Sequence, residues 1–569
     1  MSHDDAAPGE HLSSHRASRK ISRKTSHVDT FVIDGLPPPH LLPEFVNLDR
    51  LNYPERLNAA DEFVDRHVRE GRGGRLAVRA PGVHWTYDDL ARIVNRLANL
   101  LVDGLGLVPG NRVLLRSANT PTMVALYLAV IKAGGIVVAT MPLLRAKELV
   151  QIIDKAEITL AFTDETLLGE LAAAAEGNAF LKRVVAWSGD LGGELGQLAE
   201  GAPDVFEAVD TLSNDPCLLG FTSGTTGLPK ATIHYHRDLL IICDCYAKEI
   251  LRAEPDDSFI GSPPLAFTFG LGGLVLFPFR VGASTVLPAK TAPDDLARAI
   301  GEYRPTICFT APTAYRAILS RIGEYDLSSL RKCVSAGEAL PLPTFNAWKE
   351  ATGLTLLDGI GATELLHIFI AAPEEAIRPG ATGKPVPNYE AQVIDDTGSP
   401  VPDGTPGHLA VRGPIGCRYL DDPRQTVYVR HGWNITGDTY IRDADGYFWY
   451  QARSDDMIVS AGYNIGGPEV EASLLAHEAV LECGVVAAPD SERGNVVKAY
   501  VVLREGVVGD EVLRKALQDH VKRDLAPYKY PRAVEFVAEL PKTQSGKLQR
   551  AVLRKLARED APNAGAGRS

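Results

Sequence analysis

Short apolar runs alternate with amphipathic segments of helical length over the first two thirds of the chain. Segments such as 86–105 and 293–303 space their apolar residues three and four positions apart, as on one face of a helix. The apolar runs between such segments are 112–116, 136–140, 159–163, 183–187, 217–221, 284–287, 306–310, 332–335 and 355–357. This alternation predicts an α/β fold with parallel sheets, in which ligands bind beyond the carboxyl ends of the strands.

The pattern changes after Gly380. Turn residues then separate short strands at 391–394, 407–411 and 447–450, which predicts a β-rich subdomain. Past Asp455, two helices and two strands predict a small α+β domain. The helices are predicted at 468–477 and 510–523, and the strands at 481–487 and 498–503. The predicted division of the chain is a disordered basic tail at 1–30, an N-terminal body at 31–454, a C-terminal domain at 455–560 and a disordered tail at 561–569.

Composition and charge exclude several classes of protein. The 72 Asp and Glu residues outnumber the 59 Lys and Arg residues, and the resulting net charge of −13 argues against nucleic-acid binding. The 7 cysteines are scattered without a C-x-x-C pair, so we expect neither a disulfide framework nor a zinc site, and we expect a cytoplasmic protein. Charges and glycines interrupt the most apolar stretches, so we expect no membrane span and no membrane partner.

The strongest local signal is the sequence Phe-Thr-Ser-Gly-Thr-Thr-Gly-Leu-Pro-Lys at 221–230, which directly follows an apolar strand. Its glycines, Gly224 and Gly227, allow a tight turn that aims backbone N–H groups at an anion. Side-chain donors are supplied by Thr222, Ser223, Thr225, Thr226 and Lys230. The spacing is not that of a Walker A loop. We predict a phosphate-binding loop of another kind.

This loop resembles the phosphate-binding signature of the acyl-adenylate-forming (AMP-binding) superfamily, which includes acyl-CoA ligases, peptide-synthetase adenylation domains and luciferases. Segments similar to the other motifs of that superfamily follow in its order, at 335–340, 361–364, 433–438, 453–458 and 541–547. The resemblance covers residues 51–556. It implies an AMP-binding N-terminal domain with two parallel α/β sheets and a β-rich subdomain, and a small mobile C-terminal lid that turns about Asp455.

The resemblance also implies roles for individual residues. By position, Lys547 is the catalytic lysine, and Glu364, the second catalytic residue, binds Mg²⁺ together with Thr225. Asp438 and Arg453 are the implied contacts of the ribose hydroxyls. The other implied ATP and AMP contacts, besides the phosphate loop, are Gly337, Glu338, Ala339, Asp358, Gly359, Ile360, Gly361 and Thr363.

Two features point to the acid that is activated. Ile360 stands where the superfamily commonly has an aromatic residue that stacks on adenine, and the segments 357–369, 132–142 and 269–272 resemble benzoate-CoA and 2-aminobenzoate-CoA ligases. A flat aromatic acid needs an apolar slot with few polar groups. The candidate walls of this slot are Phe267, Thr268, Phe269, Ala336, Ile360 and His367.

The resemblance therefore implies that ATP activates an aromatic acid of benzoate, 2-aminobenzoate or salicylate type as an acyl-adenylate. Transfer to coenzyme A, with Gly462 leaving room for its thiol arm, would give aryl-CoA, AMP and pyrophosphate. The expected partners are the acid, ATP with Mg²⁺ and coenzyme A, and the expected assembly is a monomer or a homodimer.

Three alternatives stay open at the level of sequence. The chain could be a stand-alone adenylation enzyme that loads an aryl acid onto a carrier protein. It could be a ligase for medium-chain acids. It could also be a non-catalytic nucleotide-binding protein, although the presence of Lys547, Glu364 and Asp438 disfavours this reading.

Overall fold

A computed structural model of the chain describes residues 24–223, 229–460, 463–490, 493–525, 527–542 and 547–560. The tail expected at 561–569 and most of the tail expected at 1–30 lie outside these ranges. The α-helices of the described residues are Phe31–Asp34, Arg66–Arg69, Tyr87–Asn99, Pro121–Lys132, Ala146–Ala156, Leu168–Ala175, Gly193–Ala199, His236–Ile242, Thr268–Leu271, Phe277–Val281, Pro293–Tyr303, Pro312–Leu319, Leu342–Thr352, Gln425–Tyr428, Gly467–Leu475, Glu511–Asp524 and Arg550–Glu559.

The first sheet of the N-terminal body has six strands. In spatial order they are Arg183–Trp187, Leu160–Asp164, Arg112–Arg116, Ile136–Thr140, Pro216–Ser223 and Pro229–Tyr235. The first five are parallel, and the sixth is antiparallel to its neighbour. This sheet confirms the prediction of a parallel α/β architecture, and the hairpin at its edge flanks the predicted phosphate loop.

The second sheet has nine strands. In spatial order they are Lys384–Pro385, Ile368–Ala371, Leu356–Gly361, Lys332–Ala336, Ile307–Thr310, Ser258–Gly261, Ser284–Val286, Leu76–Ala80 and Val83–Thr86. The six strands from Leu356–Gly361 to Leu76–Ala80 are parallel, and the three at the ends of the order are antiparallel. The body therefore contains two mainly parallel α/β sheets, as expected.

One apolar core contains residues from both sheets. The helix Pro121–Lys132 belongs to this core and is buried along its entire length, which accounts for its apolar character on all sides. Thr120 caps it, accepting a hydrogen bond from the backbone N–H of Met123, and Pro121 occupies its first position. The apolar stretch 124–140 is thus a buried helix followed by a buried strand.

The β-rich subdomain is an antiparallel sheet of five strands. Its strands are Glu390–Ile394, Gly407–Arg412, Val429–Arg430, Trp433–Arg442 and Phe448–Arg453. The longest strand, Trp433–Arg442, carries the Thr-Gly-Asp sequence, and Asp438 lies opposite Arg453 on the neighbouring strand. Strand pairing therefore brings the two predicted ribose-binding residues together.

The C-terminal domain has cores of its own. A strand pair, Ile458–Ser460 with Tyr463–Ile465, precedes a three-stranded sheet of Val480–Asp490, Gly494–Leu503 and Ala533–Phe536. Three helices pack around this sheet and bury two apolar clusters that contain only residues beyond 457. This arrangement confirms the predicted α+β domain; its mobility stays a prediction.

The disordered tail expected at 1–30 is wrong for residues 24–30. The side chains of Thr25 and Ser26 donate hydrogen bonds to the Asp215 carboxylate, and Asp29 forms a salt bridge with Arg112. These contacts fix the segment beside the strand that leads to the phosphate loop. The basic composition of this region suggested disorder, but hydrogen bonds to a distant, buried carboxylate are not visible in a local sequence pattern.

All seven cysteines lie in the described residues, and all are buried free thiols. No helix in the described part of the chain is both long and apolar enough to cross a membrane.

Candidate functional site

The predicted nucleotide-binding residues follow the ends of three parallel strands. Pro216–Ser223 of the first sheet ends at the phosphate loop, while Lys332–Ala336 and Leu356–Gly361 of the second sheet end at Gly337 and at the turn that contains Glu364. The two sheets meet here. A Cβ on Gly220 would lie 2.7 Å from Cγ2 of Thr363, so only glycine permits this close approach.

Part of the phosphate loop lies outside the described residues. This part comprises Gly224, Thr225, Thr226 and Gly227, and the side chain of Ser223 is likewise not described. Thr222 and Lys230 lie opposite each other on the strands that flank the loop. The hydroxyl oxygen of Thr222 is buried and has no hydrogen-bond partner among the residues that the structure describes, so it is available to a ligand.

Lys230 and Glu364 are joined through Tyr419, a residue that the sequence did not single out. The Lys230 Nζ donates a 2.7 Å hydrogen bond to the Tyr419 hydroxyl, which in turn donates to Oε1 of Glu364. The Lys230 Nζ and Glu364 Oε1 are 3.6 Å apart. The ammonium also lies 4.7 Å from the centre of the Tyr419 ring. The predicted phosphate-binding and Mg²⁺-binding side chains therefore share one cluster.

His234 contacts the backbone of the turn that carries Glu364 and holds it in place. A ring nitrogen of His234 lies 2.8 Å from the carbonyl oxygen of Thr363, within hydrogen-bonding distance. Next to it, Arg418 donates a 2.8 Å hydrogen bond to Asp238, and both side chains are buried. Burial alone would raise the pKa of Asp238, but Arg418 lowers it to about 2, so this carboxyl is ionised at neutral pH.

The predicted ribose-binding pair is in contact. The Arg453 guanidinium donates to Oδ1 of Asp438 at 3.1 Å and to the carbonyl oxygen of Thr436 at 3.3 Å. Asp438 is buried, and this burial raises the pKa of its carboxyl although Arg453 acts in the opposite direction. Gly437 has a φ of +77°, and a Cβ at this position would lie 3.2 Å from a guanidinium nitrogen of Arg453. The glycine in Thr-Gly-Asp therefore permits the bend that presents Asp438.

Asp358 lies on the strand Leu356–Gly361, paired in register with Ser335. Within the described part of the chain, one of its carboxylate oxygens is buried without a hydrogen-bond partner, and burial raises the pKa of Asp358 to about 7. Gly359, next along the strand, has no room for a side chain because a Cβ would lie 2.8 Å from Ile368. Asp358 thus presents one oxygen without a partner among the described residues at the predicted adenine side of the site.

Lys547 extends from the C-terminal domain over the N-terminal body. Lys547 lies close to Gly337, since a Cβ on Gly337 would be 3.7 Å from Nζ of Lys547. Burial lowers the pKa of Lys547, and Arg453 contributes to the lowering. The negative charge of Glu338 favours the protonated form of this lysine and acts to raise its pKa. Thr313 donates a 2.8 Å hydrogen bond that holds the Glu338 carboxylate. Glu338 and Lys547, which were predicted from motifs more than 200 positions apart, are therefore close together. Ala339 directly follows Glu338 in its loop.

The predicted acid pocket centres on His367. Its ring contacts Phe269 at 5.7 Å between centroids and also Phe277 at 4.5 Å and Tyr246 at 5.5 Å. Burial lowers the pKa of His367 to about 3, so the imidazole is neutral at physiological pH. The Phe277 and Tyr246 contacts were missed because aromatic residues in apolar runs have the pattern of ordinary core.

The remaining predicted wall residues are distributed around this cluster. Ala336 is buried at the end of its strand, Ile360 is partly buried, and Thr268 begins the short helix Thr268–Leu271. Phe267, which precedes this helix, is 37% exposed. The predicted walls thus run from a buried end at His367 to an exposed end at Phe267.

Two further predicted residues concern movement and the thiol. Asp455 lies in the short 3₁₀ turn Ser454–Asp456 between the body and the C-terminal domain, but its side chain is not described. Gly462 lies outside the described residues. The hinge and the thiol passage therefore stay predictions.

Comparison with known proteins gives matches over most of the chain. A family model described as AMP-binding enzyme matches residues 64–418, and a model of the AMP-binding enzyme C-terminal domain matches residues 469–547. The benzoate–CoA ligase of Thauera aromatica is 37% identical over 513 residues, which cover 89% of this chain and 97% of that protein. The acyl-coenzyme A synthetase ACSM3 of Homo sapiens is 33% identical over 531 residues, which cover 89% of this chain and 90% of that protein.

Solved structures give the same picture. The crystal structure of an anthranilate CoA ligase in complex with anthranoyl-AMP has a TM-score of 0.85 and 35% identity, and the match covers 89% of this chain and 98% of the other. A benzoate CoA ligase from Burkholderia xenovorans has a TM-score of 0.80 and 32% identity, with coverage of 88% and 100%.

The raised pKa of Asp358 predicts a pH-dependent stability. The folded protein holds the proton of this carboxyl up to a pH of about 7, whereas the unfolded chain releases it near 3.8, so the free energy of unfolding should fall as the pH rises between these values. Asp358→Asn removes this loss. The stability of the variant relative to the wild type should rise by about 3 kcal/mol between pH 5 and pH 8.

Denaturant unfolding of both proteins at several pH values measures this difference. The exposed Asp103 offers a matched control for the Asp→Asn substitution itself, as Asp103→Asn. A pH-independent difference for Asp358→Asn would show that the carboxyl is ionised throughout this range.

Proposed function

This chain belongs to the family of AMP-binding enzymes, and we propose that it is an AMP-forming ligase that activates an aromatic carboxylic acid with ATP and transfers the acyl group to coenzyme A. The observation that carries the proposal is the convergence of Lys547 on Glu338 and Arg453 beside the nucleotide residues. The benzoate and anthranilate ligases named above support an aromatic acid of benzoate or 2-aminobenzoate type.

The chemistry explains why cations must converge. In the first step an oxygen of the acid attacks the α-phosphorus of ATP and pyrophosphate leaves, which brings a carboxylate close to a polyanion. Like charges at such distances repel strongly in a partly desolvated site. Lys547 would bridge the acid and the α-phosphate, and Lys230 would bind phosphate oxygens. Arg453 and Asp438 would orient the ribose.

The residues present fit a Mg²⁺ ion that accompanies ATP. Mg²⁺ is usually held by one or two carboxylates together with the phosphates of its substrate. Glu364 offers one buried carboxylate, oriented by Tyr419, within 3.6 Å of the phosphate-binding Lys230, and Thr225 of the loop would supply a hydroxyl. The ion would neutralise the charge that develops on pyrophosphate.

The acid pocket fits a flat apolar ring. The aromatic groups around His367 would contact its faces and edges, and the neutral imidazole or the Thr268 hydroxyl would provide a hydrogen bond to a ring substituent. Salicylate is a further candidate for the same reason. The acyl-coenzyme A synthetases among the relatives support the alternative of a medium-chain acid.

In the second step the thiolate of coenzyme A attacks the acyl carbonyl carbon and AMP leaves. We propose that the C-terminal domain turns about Asp455 between the two steps, which removes Lys547 and admits the thiol past Gly462. A carrier protein in place of coenzyme A remains an alternative acceptor. We further propose that the protein acts in the cytoplasm as a monomer or homodimer.

A substrate panel tests the proposed reaction. The purified protein is given ATP and Mg²⁺ with benzoate, 2-aminobenzoate, salicylate or a medium-chain acid, each with and without coenzyme A, and AMP and the thioester are measured. We expect AMP and aryl-CoA in equal amounts with at least one aryl acid. AMP formation with medium-chain acids alone would contradict the aryl assignment, and an adenylate that never becomes a CoA ester would favour a carrier protein.

Lys547→Ala should separate the two steps. Removing the bridging ammonium should slow adenylate formation by about two to three orders of magnitude, because a preorganised donor of this kind acts mainly in the transition state. Transfer from a supplied aryl-adenylate to coenzyme A should change much less. Rapid-quench assays of each half-reaction measure the two rates.

Lys555→Ala serves as the control because Lys555 is an exposed lysine of the same domain, paired with Glu559. It should leave both half-reactions unchanged. Equal losses in the two half-reactions of Lys547→Ala would contradict a role confined to adenylation.

A further inference from the structure

A single hydroxyl separates two opposite charges in the proposed ATP site. Lys230 donates to the Tyr419 hydroxyl at 2.7 Å, and that hydroxyl donates to Glu364. The Lys230 Nζ stays 3.6 Å from Oε1 of Glu364, whereas a direct hydrogen-bonded ion pair has a distance of about 2.7–2.9 Å. The two charges attract each other, so the distance is set by the group that lies between them.

Tyr419 is held rigidly in this position. Its backbone N–H donates a 2.9 Å hydrogen bond to Oε1 of Gln425, while Nε2 of Gln425 donates to the carbonyl oxygens of Leu41 and Cys417. The ring is buried and meets Tyr428 edge-on, with centroids 5.9 Å apart. The tyrosine cannot move aside without breaking this packing.

The two charged partners differ in freedom. The turn that carries Glu364 is fixed by its contact with His234 and by the close approach of Thr363 to Gly220. Lys230 is a flexible chain that ends in an ammonium, and a flexible cation moves toward the nearest accessible carboxylate. Without the hydroxyl, Lys230 would close the gap to Glu364.

We propose that Tyr419 is a positioning residue that acts as a spacer, preventing a direct hydrogen bond between the Lys230 ammonium and the Glu364 carboxylate. The ammonium is thereby kept available for the ATP phosphates and the carboxylate for Mg²⁺. This inference rests on the proposed function, because it takes Lys230 as a phosphate ligand. It assigns a role to a residue that belongs to none of the sequence motifs.

Binding of ATP without metal isolates the lysine contact. Equilibrium dissociation constants for ATP in the presence of EDTA are measured by calorimetry for the wild type, Tyr419→Phe, Glu364→Gln and the double variant. Adenosine, which lacks phosphates, is the reference probe. We expect Tyr419→Phe to weaken ATP binding by about tenfold, comparable to the loss of one charged hydrogen bond. Adenosine binding should be unchanged.

The double variant supplies the decisive comparison. Once Glu364 is neutral, Lys230 has no carboxylate to pair with, so Tyr419→Phe should cost less than twofold in the Glu364→Gln background. Such a coupling between the two substitutions is what a spacer requires. An equal loss in both backgrounds, or no loss in either, would overturn the proposal.

Two controls complete the test. Tyr428→Phe removes a buried hydroxyl beside the same lysine that has no hydrogen-bond partner in the described ranges, and should leave ATP binding unchanged. Thermal unfolding of each variant detects a structural defect, and a Tyr419→Phe protein that is unfolded at the assay temperature would also overturn the spacer role. If wild-type protein binds ATP no more tightly than adenosine, the phosphate site itself, and with it the proposed function, is wrong.

Discussion

The repulsion between negatively charged substrates is the constraint on which the arrangement of this site depends. The acid, ATP and coenzyme A are all anions, and the chain itself carries a net charge of −13. Long-range attraction by the whole protein is therefore not available, and binding has to rely on a few local cations. The site brings three of them together, Lys230, Arg453 and Lys547.

Each of these cations faces an acidic residue in the structure. Lys230 lies beside Glu364, and Arg453 forms a salt bridge with Asp438. Lys547 interacts electrostatically with Glu338. The carboxylates Glu364 and Asp438 are buried, and a buried carboxylate is costly without a partner, so their cations compensate this cost before the substrates bind. In the proposed reaction these side chains also bind the substrates: phosphate at Lys230 and Lys547, ribose at Asp438 and Arg453, and Mg²⁺ at Glu364. The geometry of each pair therefore matters for function.

The sequence predicted those parts of the fold that follow from local patterns. The strands Arg112–Arg116, Ile136–Thr140 and Arg183–Trp187 begin and end where the apolar runs do, because buried parallel strands are continuous apolar segments. The motif order correctly indicated the family and the two-part architecture. It also indicated that Asp438 and Arg453 belong to one site, and strand pairing places them side by side.

Other features depend on contacts between distant positions and have no local signal. Tyr419 gains its significance only from Lys230 and Glu364, which are 189 and 55 positions away. The packing of residues 24–30 depends on Asp215, and their basic composition suggested the opposite. The aromatic contacts of His367 come from two segments distant from it along the chain, so the sequence could name the histidine but not the complete set of its neighbours.

The central claim is that the acid is activated as an acyl-adenylate before the thiol attacks it. An aryl acid labelled with ¹⁸O in its carboxylate tests this most directly, with the products analysed by mass spectrometry. Because the carboxylate oxygen becomes the bridge to the α-phosphorus, each turnover should leave one ¹⁸O in AMP and none in pyrophosphate. Label in pyrophosphate or orthophosphate, with unlabelled AMP, would contradict the adenylate route.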